Sequence, residues 1–215
     1  MNYHPIPVLP HPIPDGSGAT ALNWEDVASV RLEHYLWMDN GYRPEVTAAL
    51  GWTPERLYVR FNVRESEPTV RYHKINEPVY KDSCVEFFLQ PCPGSDPRYL
   101  NFELNAAGVL LLKLGSGRED RVFLNAGEAD IFKIRAGAGI PGEGACCWTL
   151  EFSIPWVWLK TLFPDFRPER GTVFRGNLYK CGDETPLPHY GCWNLVTSPT
   201  PDFHRSCDFG LLELA

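Results

Sequence analysis

Two glutamates and three asparagines make the first chemical statement. Glu86 lies in Ser83-Cys-Val-Glu-Phe-Phe-Leu89, and Asn101, Glu103 and Asn105 lie in Tyr99-Leu-Asn-Phe-Glu-Leu-Asn105. Side chains of a strand alternate between its two faces, so Asn101, Glu103 and Asn105 share one face and Leu100, Phe102 and Leu104 the other. Arg175, Asn177 and Tyr179 recur at one phase in Thr172-Val-Phe-Arg-Gly-Asn-Leu-Tyr-Lys180. If these strands are neighbours, amides and carboxylates collect on one surface, which is the inventory that sugar hydroxyls demand. For any single residue a solvated outer face is the plainer account; the common phase of several strands raises the group. A second chemistry stays open for Glu86 and Glu103. Two carboxyls on one face are the minimum equipment of a glycosidase, and directly opposed neighbours would stand roughly 5 Å apart, near retaining geometry.

Two aromatic-bearing loops could complete such a site. Glu77-Pro-Val-Tyr-Lys-Asp82 leads into the Glu86 strand, and the Gly/Pro-rich segment from Lys180 to Asn194 follows the Arg175 strand and carries Trp193 near its end. A flat ring suits the C–H face of a pyranose, offering much apolar area at little entropic cost. Trp193 serves equally well as an anchor of its loop in the core. Trp24, Trp52, Trp148, Trp156 and Trp158 fall within or beside strand and helix patterns and read as core.

Other chemistries find little support. There is no G-x-S-x-G, H-E-x-x-H or phosphate loop. His73, His189 and His204 are scattered in polar loops without metal spacing, and His204 reads as a loop hydrogen-bonder. Seven cysteines (Cys84, Cys92, Cys146, Cys147, Cys181, Cys192 and Cys207) form an odd set with no C-x-x-C, so neither zinc nor a disulfide framework is expected. No D-x-D-x-D loop points to calcium. No cofactor is expected.

The elements that must position these residues are short strands. Leu57, Val59, Phe61 and Val63 alternate with Tyr58, Arg60, Asn62 and Arg64, after a turn at Gly51-Trp-Thr-Pro-Glu55. Tyr99–Asn105 and Val109–Leu114 form a hairpin through Ala106-Ala-Gly108. Trp148–Ile154 alternates and ends at Pro155; Trp156–Phe163 is a short helix opened by that proline. Asp208–Leu214 is a closing strand, and Glu25–Val30 is either a helical turn or a strand. Many short antiparallel strands with Gly/Pro turns predict an all-β fold, an antiparallel two-sheet β-sandwich with one or two short helices.

The 215 residues suit one domain, with residues 1–18 as an extended proline-rich arm and 19–215 as the sandwich. Pro5, Pro7, Pro10, Pro12 and Pro14 make the arm extended, with a sheet edge as its natural resting place. The net charge of −7 argues against nucleic acid, and no polybasic run or bilayer-length apolar segment appears. The N-terminus lacks the basic start and h-region of a signal peptide, so a cytoplasmic location is expected; a trimmed extracytoplasmic chain would read the same.

Four segments in succession carry a resemblance: Val79-Tyr-Lys-Asp-Ser-Cys-Val-Glu-Phe-Phe88, Tyr99-Leu-Asn-Phe-Glu-Leu-Asn-Ala-Ala-Gly108, Trp148-Thr-Leu-Glu-Phe-Ser-Ile-Pro155 and Gly176-Asn-Leu-Tyr-Lys-Cys181. From about Trp24 onward the chain resembles family 9 carbohydrate-binding modules, and more narrowly the stand-alone relatives that carry a xylanase-related label. The resemblance implies an immunoglobulin-like or jelly-roll sandwich that clamps a saccharide, often a chain end, between two rings without cleaving it. By position Tyr80 matches the first ring and Trp193 the second, with Glu86, Glu103 and Asn105 at hydrogen-bonding positions. Lys81, Arg98, Asn101 and Lys180 are expected rim contacts. A slot roughly 7–8 Å wide between the rings, twice a carbon contact distance, is expected. Two positions depart from the best-known binders: Tyr80 stands for Trp, and Glu103 for a basic residue. Calcium accompanies some family members. Two other readings remain beside this one, a glycoside-processing enzyme using Glu86 and Glu103, and a module whose proline arm docks a protein partner.

Overall fold

The computed structural model describes residues 1–9, 13–14, 20–21, 24–65, 67–124, 126–138 and 147–215. Pro10, Pro12 and Cys146 lie outside them. Two large sheets, one two-stranded ribbon, one α-helix and three 3₁₀ segments are present among the described residues. Strands are numbered along the chain. The larger sheet runs β1 (Tyr3–Ile6), β16 (Gly210–Leu214), β14 (Val173–Cys181), β8 (Cys84–Gln90), β9 (Tyr99–Asn105), β10 (Leu110–Gly115) and β11 (Val122–Phe123). On one edge of β14, β16 pairs its first half and β15 (Tyr190–Cys192) its second, and β5 (His34–Tyr35) continues from β15. The smaller sheet runs β12 (Arg135–Ala138), β13 (Cys147–Pro155), β7 (Arg56–Arg64), β6 (Glu45–Trp52) and β4 (Ser29–Arg31). A short ribbon pairs β2 (Ile13–Pro14) with β3 (Thr20–Ala21). The helix, α1, spans Trp156–Leu162 and has Pro155 as its N-cap.

Alternation explains the smaller sheet. Along β7 the odd positions Leu57, Val59, Phe61 and Val63 are buried and the even positions face out. They meet Phe152, Leu150 and Trp148 of β13 on one side and Phe87, Phe102 and Leu178 of the larger sheet on the other, in one continuous core. The larger sheet differs. Every residue of β8 and β9 is buried, on both faces. Its outer face carries a second apolar cluster, with Phe88, Tyr99, Leu111, Tyr179 and Phe203 among its members, roofed by the loops around Trp37, Tyr72, Tyr80 and Tyr190. The polar face read from the sequence is therefore not a solvated surface. It is an interior.

Two sequence expectations change in detail. The N-terminal segment is part of the larger sheet, since β1 pairs parallel with β16, so the sheets are not wholly antiparallel. Beyond it Trp52 N–H donates to Pro7 O and Leu9 N–H to Trp52 O, which ties the segment to β6 of the other sheet. The turn after β6 is also tighter than Gly51–Glu55, because Gly51 and Trp52 stay in the strand.

Trp193 belongs to this frame. It follows β15, is only 6% exposed and packs in the inter-sheet core. A Cβ on Gly210 would sit 2.5 Å from its ring. Gly210→Ala is therefore expected to destabilise the protein by about 1–3 kcal/mol through overpacking, read by urea unfolding. An unchanged midpoint would mean that the ring is not held there.

Candidate functional site

The site is built on three rows of side chains that cross the outer face of the larger sheet. In the central row Tyr179 of β14 stands opposite Glu86 of β8, Glu86 opposite Glu103 of β9, and Glu103 opposite Leu111 of β10. One flanking row holds Cys181, Cys84 and Asn105; the other holds Asn177, Phe88, Asn101 and Lys113. Above Glu86 and Glu103 opens a cavity of about 340 Å³. Its aromatic walls are Trp37, Tyr80, Tyr190, Phe203 and His204. Lys113, Arg118 and Arg121 bring positive charge, and Asp183 and Asp202 negative charge.

Each wall is held by identifiable contacts. Tyr80 sits on the 3₁₀ turn Val79–Lys81. Its carbonyl accepts from Asp183 N–H at 3.1 Å, and Lys81 O accepts from Glu184 N–H, so the loop after β14 is laced to that turn. Asp82 at the end of the turn is buried and accepts from the backbone N–H of Arg71 and Tyr72 and from Asn105 Nδ2. Trp37 has a left-handed backbone, φ 66°, which costs free energy for a residue with a large side chain. Its indole N–H donates to Ser198 O at 2.8 Å, and its ring meets Tyr190 edge-on with centroids 5.6 Å apart. Phe203 stacks on Tyr179 at 4.1 Å, and the Tyr179 hydroxyl donates to Phe203 O. His204 stacks on Phe88 and shares a hydrogen bond with the Tyr99 hydroxyl. Burial pushes its imidazole down to about 2, so it is neutral.

The floor is electrostatically unusual. Glu86 and Glu103 are both buried and directly opposed. Burial, then the charge of Glu103, pushes Glu86 well above the usual carboxylate range. Burial pushes Glu103 up to about 7, against the opposing pull of Arg121 and of the hydrogen bond from Asn101. Arg121 Nη1 lies 3.7 Å from Glu103 Oε1, and Asn101 Nδ2 donates to the same oxygen at 2.7 Å. The Cys181 thiol donates to Glu86 Oε1 at 3.0 Å. Burial and the charge of Glu103 favour protonated carboxyl on this floor, which can then donate as well as accept. Asp183, raised to about 6 chiefly by burial, adds a third such group.

Metal chemistry has one candidate set on this floor. The ligand atoms of Cys84, Glu86 and Cys181 lie within 4.8 Å of one another. Two thiols and a carboxyl suit a soft ion such as zinc, not calcium with its all-oxygen shell. Burial pushes the Cys84 thiol up to about 11 and the Cys181 thiol well above its usual range, which favours thiols over thiolates.

The sequence-predicted residues divide accordingly. Tyr80, Glu86 and Glu103 line the cavity. Asn101 and Asn105 are buried beside it and position others: Asn101 holds Glu103, while Asn105 also donates to Tyr72 O and accepts from Ala107 and Val109 N–H in the hairpin turn. Lys81 pairs with Glu184 at 2.7 Å outside the cavity lining. Three expectations are corrected. Trp193 is a core residue, so there is no Tyr80–Trp193 slot. Burying a ring of 150–250 Å² is worth about 4–6 kcal/mol, several times what one stacking contact returns. Lys180 is fully buried on the inter-sheet side, with Nζ 2.7 Å from His189 Nε2 and 3.4 Å from Glu65. Arg98 is spent on Asp96 and on Leu162 O, away from the cavity.

Several lining residues escaped the sequence reading; parity along β10 assigns Lys113 to this face, whereas Tyr190 needs the register of β15. Tyr190 stands opposite Cys181 and Cys192 opposite Tyr179, so Tyr190 and Cys192 share the cavity face while Gly191 and Trp193 face away. Trp37, Arg118, Arg121 and Phe203 come from irregular segments, where no periodicity assigns a direction.

The family model for carbohydrate-binding family 9 matches residues 17–214. The chain belongs to carbohydrate-binding family 9. Among solved structures it is similar to a proposed carbohydrate-binding protein from Bacteroides uniformis ATCC 8492, at 28% identity and TM-score 0.81 over 99% of each chain. A family 9 module from Caldicellulosiruptor kristjanssonii in complex with cellotriose shares the fold at 14% identity and TM-score 0.65, over 99% of this chain and 93% of that one. The structure of a family 9 module from the same organism with glucose gives 15% and 0.62, over 100% and 95%. No curated protein matches. The family 9 fold here is a β-sandwich, as the sequence leads one to expect, and no helix among the described residues is long and apolar enough to cross a membrane.

The carboxyl pair has a consequence for stability. The folded chain keeps a proton on Glu103 up to about pH 7, whereas an unfolded chain releases it near 4.5. Between those values rising pH favours unfolding, and this contribution is complete above about pH 7. Glu86 and Asp183 act in the same sense, while neutral His189 and His204 act oppositely, below about pH 6.5. Glu103→Gln removes the first effect and also the charge that helps to raise Glu86, and both changes act in the same direction. Its thermal midpoint is expected to gain on the wild type as pH is raised from about 5 to about 7.5. Parallel curves for the two proteins would contradict the raised Glu103 carboxyl.

Proposed function

We propose that this protein binds a saccharide in the cavity over Glu86 and Glu103, and holds it without cleaving it. The observation that carries the reading is the cavity's composition: aromatic walls around a buried floor that can both donate and accept. A pyranose presents apolar C–H faces and a belt of hydroxyls, and this arrangement complements both. Membership of carbohydrate-binding family 9 supports the same reading, as do the glucose and cellotriose held by the two distant relatives. The donor and acceptor in the floor stay fixed by Asn101, Arg121 and Cys181, so little ordering remains to be done when the ligand arrives.

The same geometry argues against hydrolysis. A retaining glycosidase needs its two carboxyls on opposite sides of the scissile bond, one attacking and one protonating. Glu86 and Glu103 stand side by side on one sheet face and approach any ligand from the same side. Neither reaches around it.

Titration with glucose, cellobiose, cellotriose and xylotriose, followed by tryptophan fluorescence, tests the proposal, because Trp37 lines the cavity while Trp52, Trp148, Trp156 and Trp193 are buried in the core. Saturable binding is expected for at least one of these sugars. Tyr80→Ala and Trp37→Ala should each weaken it about tenfold, and Trp193→Phe should leave it within about twofold. Absence of binding across the series, or equal losses from Trp193→Phe and Tyr80→Ala, would overturn the assignment. Release of sugar from a bound chromogenic glycoside would overturn the non-catalytic part.

A further inference from the structure

The cavity is not the end of the apolar surface on this face. Val122 and Phe123 form β11, the outermost strand of the larger sheet, and are 60% and 55% exposed. Two neighbouring exposed apolar residues on a sheet edge are a liability for solubility unless something uses them. Phe123 stands directly opposite Lys113, which stands opposite Asn101. It therefore continues the flanking row of the floor by one more strand and points to the same side of the sheet as the carboxyl pair. Lys113 is shared: it lines the cavity, and its Nζ lies 4.2 Å from the centre of the Phe123 ring. The ring is thus steadied against the edge of the cavity with more than half of its residue still open. Counting strands and residues from Glu103, two strands across and two residues along, places Phe123 about 12 Å away. That is a reach for a later unit of a linear chain, not for the one held between the cavity walls.

We infer that Phe123 is the platform of a second saccharide subsite, taking a further pyranose of a linear oligosaccharide whose first unit lies in the cavity. The inference rests on the reading of the cavity as a sugar site. A ring in line with the floor, at the open rim, offers the apolar face that a second C–H surface needs, and Lys113 donates to ring or linkage oxygens from between the two positions. A protein partner is the rival occupant of such a ring. Continuity with the cavity through Lys113 favours the sugar.

Calorimetric titration of wild type and Phe123→Ala with glucose and cellotetraose, and with xylose and xylotetraose, decides the matter. The readout is the ratio of tetrasaccharide to monosaccharide affinity within one sugar series. Phe123→Ala should lower that ratio about five- to tenfold, and Phe123→Tyr, which keeps the ring, should restore it. Tetrasaccharide binding in which Phe123→Ala leaves the ratio unchanged would overturn the platform while the cavity reading stands. No binding of any of the four sugars by the wild type would remove both. Because Phe123 is exposed, the variant's unfolding midpoint should match the wild type, and a lowered midpoint with an unchanged ratio would assign the ring to stability instead.

Discussion

Two carboxyl groups set across from one another on adjacent strands, inside a sheet that is covered on both faces, are the constraint around which the rest of this protein is arranged. Glu86 and Glu103 cannot both ionise cheaply there: burial penalises each charge, and each charge penalises the other. The surroundings answer with partial measures. Arg121 stands at ion-pair distance from Glu103, Asn101 donates to it, and the Cys181 thiol donates to Glu86. None of these neutralises the pair outright. A site left in that state has hydrogen-bonding capacity directed at the cavity, and hydroxyl groups, able to donate and accept in any orientation, are its natural complement.

Covering the outer face is what makes the pair matter. On a solvated face the two glutamates would be ordinary surface acids. The roof is assembled from distant segments, each anchored to the sheet by a different device. A buried Asp82 collects the backbone of Arg71 and Tyr72, two backbone hydrogen bonds lace the Asp183 loop to Tyr80 and Lys81, and Phe203 lies flat on Tyr179. Beneath the other face, Lys180 makes a buried cluster with Glu65 and His189 that fastens the same loop from inside. Trp193 completes that anchoring from the end of the loop, packed against Gly210. Within β15 and just beyond it, a residue that lines the cavity and one that braces the core thus alternate with the pleat, Tyr190 facing one way and Trp193 the other.

That alternation also explains how far the sequence could be read. Strands β7, β8, β9, β10, β13, β14 and β16 and the short helix after Pro155 follow from period-two patterns and turn chemistry, and all are present; β1, β6, β12 and β15 announce themselves less clearly, and only the register sets Glu86 opposite Glu103. Tyr80, matched by its place before the Glu86 strand, does line the cavity. Periodicity could not say that the polar face was roofed, since a residue that is out of the core looks alike whether water or a loop lies above it. Nor could it choose between Tyr190 and Trp193 without the register of β15, and the match by position to a second ring pointed to Trp193, which is core. Lys180 was legible by parity: it shares its face with Leu178 and Phe174, which are core. Trp37 follows a two-residue strand and turns through a left-handed backbone, an arrangement that no local pattern announces.

The most direct test is a carbon-13 NMR titration of the side-chain carboxyls of Glu86 and Glu103, with and without a sugar that the protein binds. The account predicts that Glu103 titrates near 7, that Glu86 does so well above the ordinary carboxylate range, and that the sugar shifts both resonances. Two ordinary transitions near 4.5, indifferent to any sugar, would contradict it.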